Sequence, residues 1–373
     1  MLFPKKKKDV CVVFDFQAFQ MQRFGGISRY FCEIMRRLCM PYDVAIRFTV
    51  NYYLTTWRLG RHVIPLPRFV YKHYAAKCEH QNFLLSCRTL ERRHNYVFHP
   101  TYYDPYFFKY IGNAPYVITV HDMIYERYPD LLPNAEEVIA QKRKTILGAN
   151  RIIAISENTK KDVIEMLGIA PEKIDVIYHS TSMKPHVGPH RLTLPQRFLL
   201  YVGDRDAYKN FRRLAVAFAR IRQTDTQLCL VCTGRPFKSH EMALFSELGI
   251  NGFVMQIKAS DRDLAELYAR AECFVYPSLY EGFGIPILEA WACCCPVVLS
   301  RASCFPEIAG EAGCYFDPFS EESIAEAITS LLCNEDERCR LVAAGSERLK
   351  LFSWEKAARA TEAVYRKVLA DRF

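Results

Sequence analysis

The chain has 373 residues, with 50 Lys+Arg against 41 Asp+Glu, and half of its residues are hydrophobic. That length supports two domains with full cores, and the mix is that of an ordinary globular protein. No apolar run approaches about 18 residues, which excludes a membrane-spanning helix, and the start MLFPKKKKDVCVVFDF carries Asp15 and no small-residue cleavage site, which makes it a poor secretory signal.

The first strand is expected at 10–15, after a basic start. Short β-rich runs then alternate with amphipathic stretches, the pattern of parallel α/β domains. Further strands are expected at 44–50, 96–99, 116–120, 151–155 and 174–177, with helices at 27–39 and 134–147 among them. The stretch HVGPHRLTLPQR, 186–197, has two prolines, a glycine and no apolar periodicity, and reads as a linker. After it come strands at 198–202, 227–232, 252–256, 273–276, 296–299 and 314–316, and helices near 209–221, 261–270, 285–292, 321–332 and 354–370. Two doubly wound halves follow from this order, and a ligand belongs at the carboxyl ends of their strands.

Charge is uneven. Residues 1–110 hold 18 Lys+Arg and 7 Asp+Glu, a net +11, whereas the whole chain is +9. Aromatics interleave with the cations: Tyr52, Tyr53, Trp57, Arg58, Arg61, Tyr71, Lys72, Tyr74, Lys77. This is either a solvated basic face or a surface for anionic lipid heads or a lipid diphosphate. No nucleic-acid module accompanies it. The fifteen cysteines are odd in number and follow no secretion signal, so they are expected reduced, as small hydrophobes. Cys229 and Cys232 face opposite sides of a strand, and Cys293, Cys294 and Cys295 are consecutive, so neither group makes a zinc site.

Four segments carry candidate chemistry. In FVYPSLYEGFGIPILEAWACCCPVV, 274–298, a buried strand leads through Gly282 and Gly284 into a helix from Ile285, with Pro286 in its first turn. Free N–H groups at such a start bind anions, and glycine lets a ligand approach the backbone. Glu281 and Glu289, eight residues apart, can both reach one cleft, and carboxylates suit sugar hydroxyls. In FLLYVGDRDAYKNFRRL, Arg205 and Lys209 follow a strand, two cations able to hold a leaving diphosphate in place of a metal. Asp204 and Asp206 spell a DxD there and Asp261 and Asp263 another, the first threaded with cations and the second opening a helix, so no metal is expected on either. In VITVHDMIYERYP, His121 follows a strand directly. In RFGGISRYF, Gly25 and Gly26 sit in the first strand–helix turn.

Taken together, FGGISRY, TVHDMIYERYP, AISENTKKDVI, DVIYHS, YVGDRDAYKNFRRL, SDRDLAELYARAECFVYPSLYEGFGIPILEAWA and FPEIAGEAGCYFDP resemble the retaining glycosyltransferases of family 4 over nearly the whole chain. Glu281 to Glu289, with EGFG inside it, is that family's most specific mark. The resemblance implies the GT-B fold: an acceptor-side Rossmann-like domain 1–190, a nucleotide-sugar domain 191–353 facing it across a central cleft, and a helix 354–373 crossing back to the first domain. It implies that Glu281 binds the donor sugar, and that the backbone of Gly282, Phe283, Gly284 and Ile285 holds hydroxyls and phosphate. Glu289 is implied to bind the ribose, Arg205 and Lys209 the diphosphate, and the segment near Ile257 the base. His121 is implied beside the reacting sugar, and Gly25 and Gly26 in the cleft. Two departures stand out. Cys294 replaces the family's glycine after the helix, where a left-handed turn without glycine is costly, and DVIYHS lacks the common Asn-Gly, so the loop at His179 is expected to differ.

The implied activity is transfer of a hexose with retention, without metal or other cofactor. YVGDRDAYKN looks like the GNRxxxKN segment of bacterial mannosyltransferases, which points to GDP-mannose. The acceptor is expected to be a saccharide or lipid-linked saccharide of surface polysaccharide or lipopolysaccharide assembly, met by a cytoplasmic enzyme peripheral on an anionic membrane. The alternative is a non-catalytic partner subunit of the same fold that binds a nucleotide sugar or glycan. A nicotinamide-dependent dehydrogenase needs a G-x-G-x-x-G that FGGISRY does not supply.

Overall fold

The structure is a computed structural model that describes residues 10–205 and 207–371; the Lys5–Lys8 run and Asp206 of the first DxD lie outside the described residues. The chain divides into two units. The first takes residues up to His179 and again from Trp354, and the second spans Ser180–Ser353.

The strands of the first unit are β1 (Cys11–Phe14), β2 (Tyr42–Val44), β3 (Phe48–Thr49), β4 (Ile64–Pro65), β5 (Tyr96–His99), β6 (Val117–Val120), β7 (Arg151–Ala154) and β8 (Ile174–Val176). They form parallel ladders β2-β1-β5 and β6-β7-β8, joined where Phe98 bridges Tyr116. β1, β5 and β6 are buried at every position, as strands covered on both faces must be. The run 44–50 is not one strand. Ile46 N–H turns back onto the Val44 carbonyl, and Asn82, from the helix Ala75–Arg92, takes the N–H groups of Arg47 and Phe48 and donates to the Phe48 carbonyl. The helix expected at 27–39 is Gly26–Met35: the N–H groups of Arg37 and Leu38 tighten to the carbonyls three residues back, and those of Cys39 and Met40 go to the Glu362 carboxylate.

Glu362 belongs to the last helix, Trp354–Ala370. Its Trp354, Ala357, Ala358, Val364, Tyr365 and Val368 join the core of Phe14, Tyr30 and Phe31. Arg37 reaches Glu355 at 2.7 Å, and Lys367 reaches Asp175 at 2.7 Å. Residues 354–370 are therefore part of the first unit by packing, although they end the chain.

The second unit has β9 (Phe198–Tyr201), β10 (Cys229–Cys232), β11 (Val254–Gln256), β12 (Cys273–Tyr276), β13 (Val297–Ser300) and β14 (Cys314–Phe316). All are parallel, in the order β11-β10-β9-β12-β13-β14. Counted from β9 this is the doubly wound order 3-2-1-4-5-6, with its reversal between β9 and β12. The helix Phe211–Ile221 buries Phe211, Leu214, Ala215, Phe218 and Ile221, one stripe at helical spacing. Ser156, Ser260, Ser320 and Asn334 cap their helices through side-chain oxygens, each worth about 1 kcal/mol. The second unit begins at Ser180, upstream of the boundary read at 190/191, because the intervening chain packs onto it: the Cys293 thiol donates to the Lys184 carbonyl at 3.9 Å, and His190 Nδ1 lies 3.6 Å from the Glu266 carboxylate. All fifteen cysteines are free.

Candidate active site

The reversal between β9 and β12 leaves a crevice at their carboxyl ends, where neighbouring connections run to opposite faces. β9 ends at Tyr201, and Gly203 turns the chain at φ 116°. Gly234, after β10, is needed for close approach, since a Cβ there would meet the Gly203 carbonyl oxygen at 2.4 Å. Lys209 then comes forward, and its ammonium lies 2.6 Å from the Glu281 carboxylate, delivered by the loop after β12. Burial works against the Lys209 charge, but Glu281, with Tyr208, outweighs it and holds the ammonium above its ordinary range. The two loops are also tied by backbone: Leu279 N–H donates to the Tyr208 carbonyl at 2.8 Å.

Two residues that the sequence reading passed over hold this pair in place. Asn210 stands in the left-handed region at φ 58°, and its amide donates to the carbonyls of Pro277 (3.1 Å) and Pro318 (2.7 Å). The Ser303 hydroxyl donates to the Glu281 carbonyl at 2.5 Å and accepts its N–H at 3.2 Å. Asn directly after Lys209 was a weak signal, since Asn tolerates that backbone; Ser303 had none.

Arg205 is placed differently from Lys209. It follows the same strand, but its side chain is 0% exposed, against 19% for Lys209 and 11% for Glu281. Its guanidinium bonds Glu241 at 2.7 Å, donates to the carbonyls of Thr233, Arg235 and Pro236, and packs on the Phe237 ring. Among the described residues, the end of β9 therefore presents Lys209 and buries Arg205 as a tie between loops. In the second DxD, Asp263 accepts from the N–H and hydroxyl of Ser260 as a helix cap.

Past Glu281 the loop is buried through Gly282 and Phe283 to Gly284. Gly284 caps the helix Ile285–Ala292 at φ 90°, where a Cβ would crowd Ile287 and Phe305 at 3.1 Å. Five residues after Gly284, Glu289 is buried beside the Tyr268 hydroxyl at 3.5 Å. Ile257 directly follows β11, its N–H on the Cys232 carbonyl. After the helix, Cys294 takes φ 58°, the left-handed turn that the family's glycine suits.

In the first unit, His121 stands at the carboxyl end of β6, buried, with its Nε2 lacking a hydrogen-bond partner among the described residues. Burial pushes its pKa down to about 4; Asp122 opposes this and Lys142 adds to it. A neutral imidazole with an open nitrogen is a polar handle at a strand end. Tyr30, His179 and Phe31 surround it, and Tyr30 and Trp354 also pack on His179. Gly25 and Gly26 open the helix Gly26–Met35. Gly25 is extended and abuts Gln22, and Gly26 is exposed with open space at its Cβ.

The profile described as glycosyltransferase family 4 matches residues 24–182, and that described as glycosyl transferases group 1 matches residues 186–348. Together they take in both units. The chain is a glycosyltransferase that resembles family 4 over both units. Among relatives of this glycosyltransferase, an O-antigen chain mannosyltransferase B from Escherichia coli is 29% identical over 73% of this chain and 74% of its own. An MMP alpha-(1->4)-mannosyltransferase from Mycolicibacterium hassiacum is 32% identical over 59% of this chain and 54% of its own. A sucrose-phosphate synthase structure from Thermosynechococcus elongatus superposes with TM-score 0.76 at 20% identity, covering 98% of this chain and 100% of that one. The glycosyltransferase thus has the GT-B fold of two parallel α/β domains.

Proposed function

We propose that this glycosyltransferase moves mannose from GDP-mannose, with retention and without a metal ion, to a saccharide or lipid-linked saccharide of surface polysaccharide assembly. The observation that carries the reading is the Lys209–Glu281 pair at the reversal of the second sheet. Lys209 would neutralise the diphosphate as it leaves, and Glu281 would hold donor-sugar hydroxyls. The Gly282–Ile285 backbone would bind hydroxyls and phosphate, Glu289 the ribose, and the Ile257 segment the base. His121 would lie by the sugar, with Gly25 and Gly26 near it. The bond from the anomeric carbon to the diphosphate oxygen breaks, the acceptor oxygen bonds that carbon on the same face, and its proton passes to the departing oxygen. Two relatives named as mannosyltransferases support the sugar. The test is nucleotide release from GDP-mannose and UDP-sugars in EDTA, with the product's anomeric configuration read by NMR. Inversion, or absolute dependence on added metal, would overturn the mechanism.

The burial of Arg205 against Glu241 favours a second reading, a non-catalytic subunit that binds a nucleotide sugar or glycan. Tight donor binding without turnover against any acceptor extract would establish it.

Membrane association is proposed from the first unit. Phe24, Phe69 and Tyr74 are exposed beside Arg23, Arg68, Lys72 and Lys77, whereas Tyr53 and Tyr71 of the sequence set turn inward. No described helix is long and apolar enough to cross a membrane. Such a face binds anionic lipid and releases it as salt rises, with screening over about 8 Å at physiological ionic strength. Co-sedimentation with vesicles decides: equal binding to neutral and anionic vesicles, or none to either, refutes it.

A further inference from the structure

The stretch that reads as a linker carries His186 and His190. Gly188, at φ 105°, turns the chain so that the two imidazoles stack, centroids 5.4 Å apart and planes 12° apart. Beside them, on the helix Asp261–Arg270, lies the buried Glu266. One nitrogen of each ring and a Glu266 oxygen all fall within 4.8 Å of one another, and His190 Nδ1 is 3.6 Å from Glu266 Oε1. His186 Nε2 is buried and has no hydrogen-bond partner among the described residues. The Glu266 carboxylate is already fixed: the N–H groups of Arg191 and Leu192 and the Arg270 guanidinium donate to it. Of these donors only Arg191 N–H, at 2.9 Å, reaches Oε2, which keeps a lone pair. His186 also lines a cavity of about 560 Å³ with Lys184, Asp261 and Arg262, a route by which a cation can enter.

We propose that His186, His190 and Glu266 bind one zinc ion, with a fourth position open to water, and that this ion staples the 180–197 segment to the helix Asp261–Arg270. Two imidazoles and a carboxylate are zinc ligands, and the ring nitrogens select against magnesium and calcium. Bonds of about 2.0–2.1 Å place tetrahedral ligand atoms about 3.3 Å apart, so the histidine rings must close by up to about 1.5 Å, which rotation about their side-chain bonds allows. The site is separate from the proposed transfer chemistry and does not depend on it.

The full chain, stripped of metal and with its exposed thiols alkylated, is titrated with zinc alone against a chromophoric chelator. One zinc per chain and a raised thermal midpoint are expected, with neither effect from magnesium. His186→Gln and His190→Gln should each weaken zinc at least about tenfold, the scale on which disturbed metal sites lose affinity, and should abolish the thermal effect. Cobalt in place of zinc should give a tetrahedral visible spectrum without a thiolate charge-transfer band. A thiolate band, equal zinc affinity in the double variant, or no zinc binding by the folded wild type would each overturn the site.

Discussion

Lys209 and Arg205 stand four residues apart after one strand and do different work. Lys209 is a cation at the end of the sheet, held charged by Glu281. Lys209→Ala should cost about 3 kcal/mol in the barrier, or roughly 10²-fold in kcat, as for removal of a charge-stabilising donor, while the fold survives. Steady-state kinetics on a donor and acceptor pair measures it, and unchanged turnover would rule out the leaving-group assignment. Arg205→Ala should instead destabilise. It strips a buried guanidinium from Glu241, a loss of about 3 kcal/mol, at the lower end for broken buried pairs, since Arg235 still bonds Glu241 at 2.8 Å. Thermal unfolding separates the two variants: an Arg205→Ala protein as stable as the parent would return Arg205 to the ligand-binding role.

At the scale of elements, the strand–loop–helix from β12 to Ala292 shows how local chemistry sets a loop. Gly284 supplies a backbone that side chains avoid, and Pro286 occupies the first turn, where its missing N–H costs nothing. At the other end of that helix, Cys294 holds a left-handed conformation with a side chain that crowds its own carbonyl. Cys294→Gly relieves this, less the entropy that glycine adds to the unfolded chain, for a net gain of about 0.5–1 kcal/mol. Cys294 is exposed, so no packing is lost. A thermal midpoint that fails to rise would show the turn to be unstrained.

For the molecule as a whole, pH acts through the first unit. Burial pushes His99 down to about 3, with His121 adding to it, and burial pushes His121 down to about 4. Above the ordinary value of 6.5 both are neutral, folded or unfolded, and stability is at its full value. As pH falls below it, the unfolded chain takes up protons that the folded unit refuses. Each histidine then costs about 1.4 kcal/mol per pH unit until its folded pKa is reached. Trp57 and Trp354 lie in this unit and Trp291 in the other, so a Trp291→Phe variant reports on it alone. Its urea midpoint should fall from about pH 6.5 to pH 4.5, and a flat profile would contradict the neutral burial of these histidines.

The sequence by itself determined the alternating parallel architecture, the buried strands and the loop from Glu281 to Glu289. Each is written in short-range periodicity, in glycine and proline placement, and in residues near one another in the chain. Lys209 was legible for the same reason. What only the tertiary structure decided depends on partners far along the chain. Arg205 is drawn inward because Glu241 and three carbonyls meet it there. The run 44–50 breaks because Asn82 takes its N–H groups. The unit boundary falls at Ser180 because Cys293 and Glu266 hold Lys184 and His190 of the following segment, and the last helix joins the first unit because Trp354 and Tyr365 complete its core. A buried polar side chain takes whichever partners packing brings to it, and no local pattern records which those are.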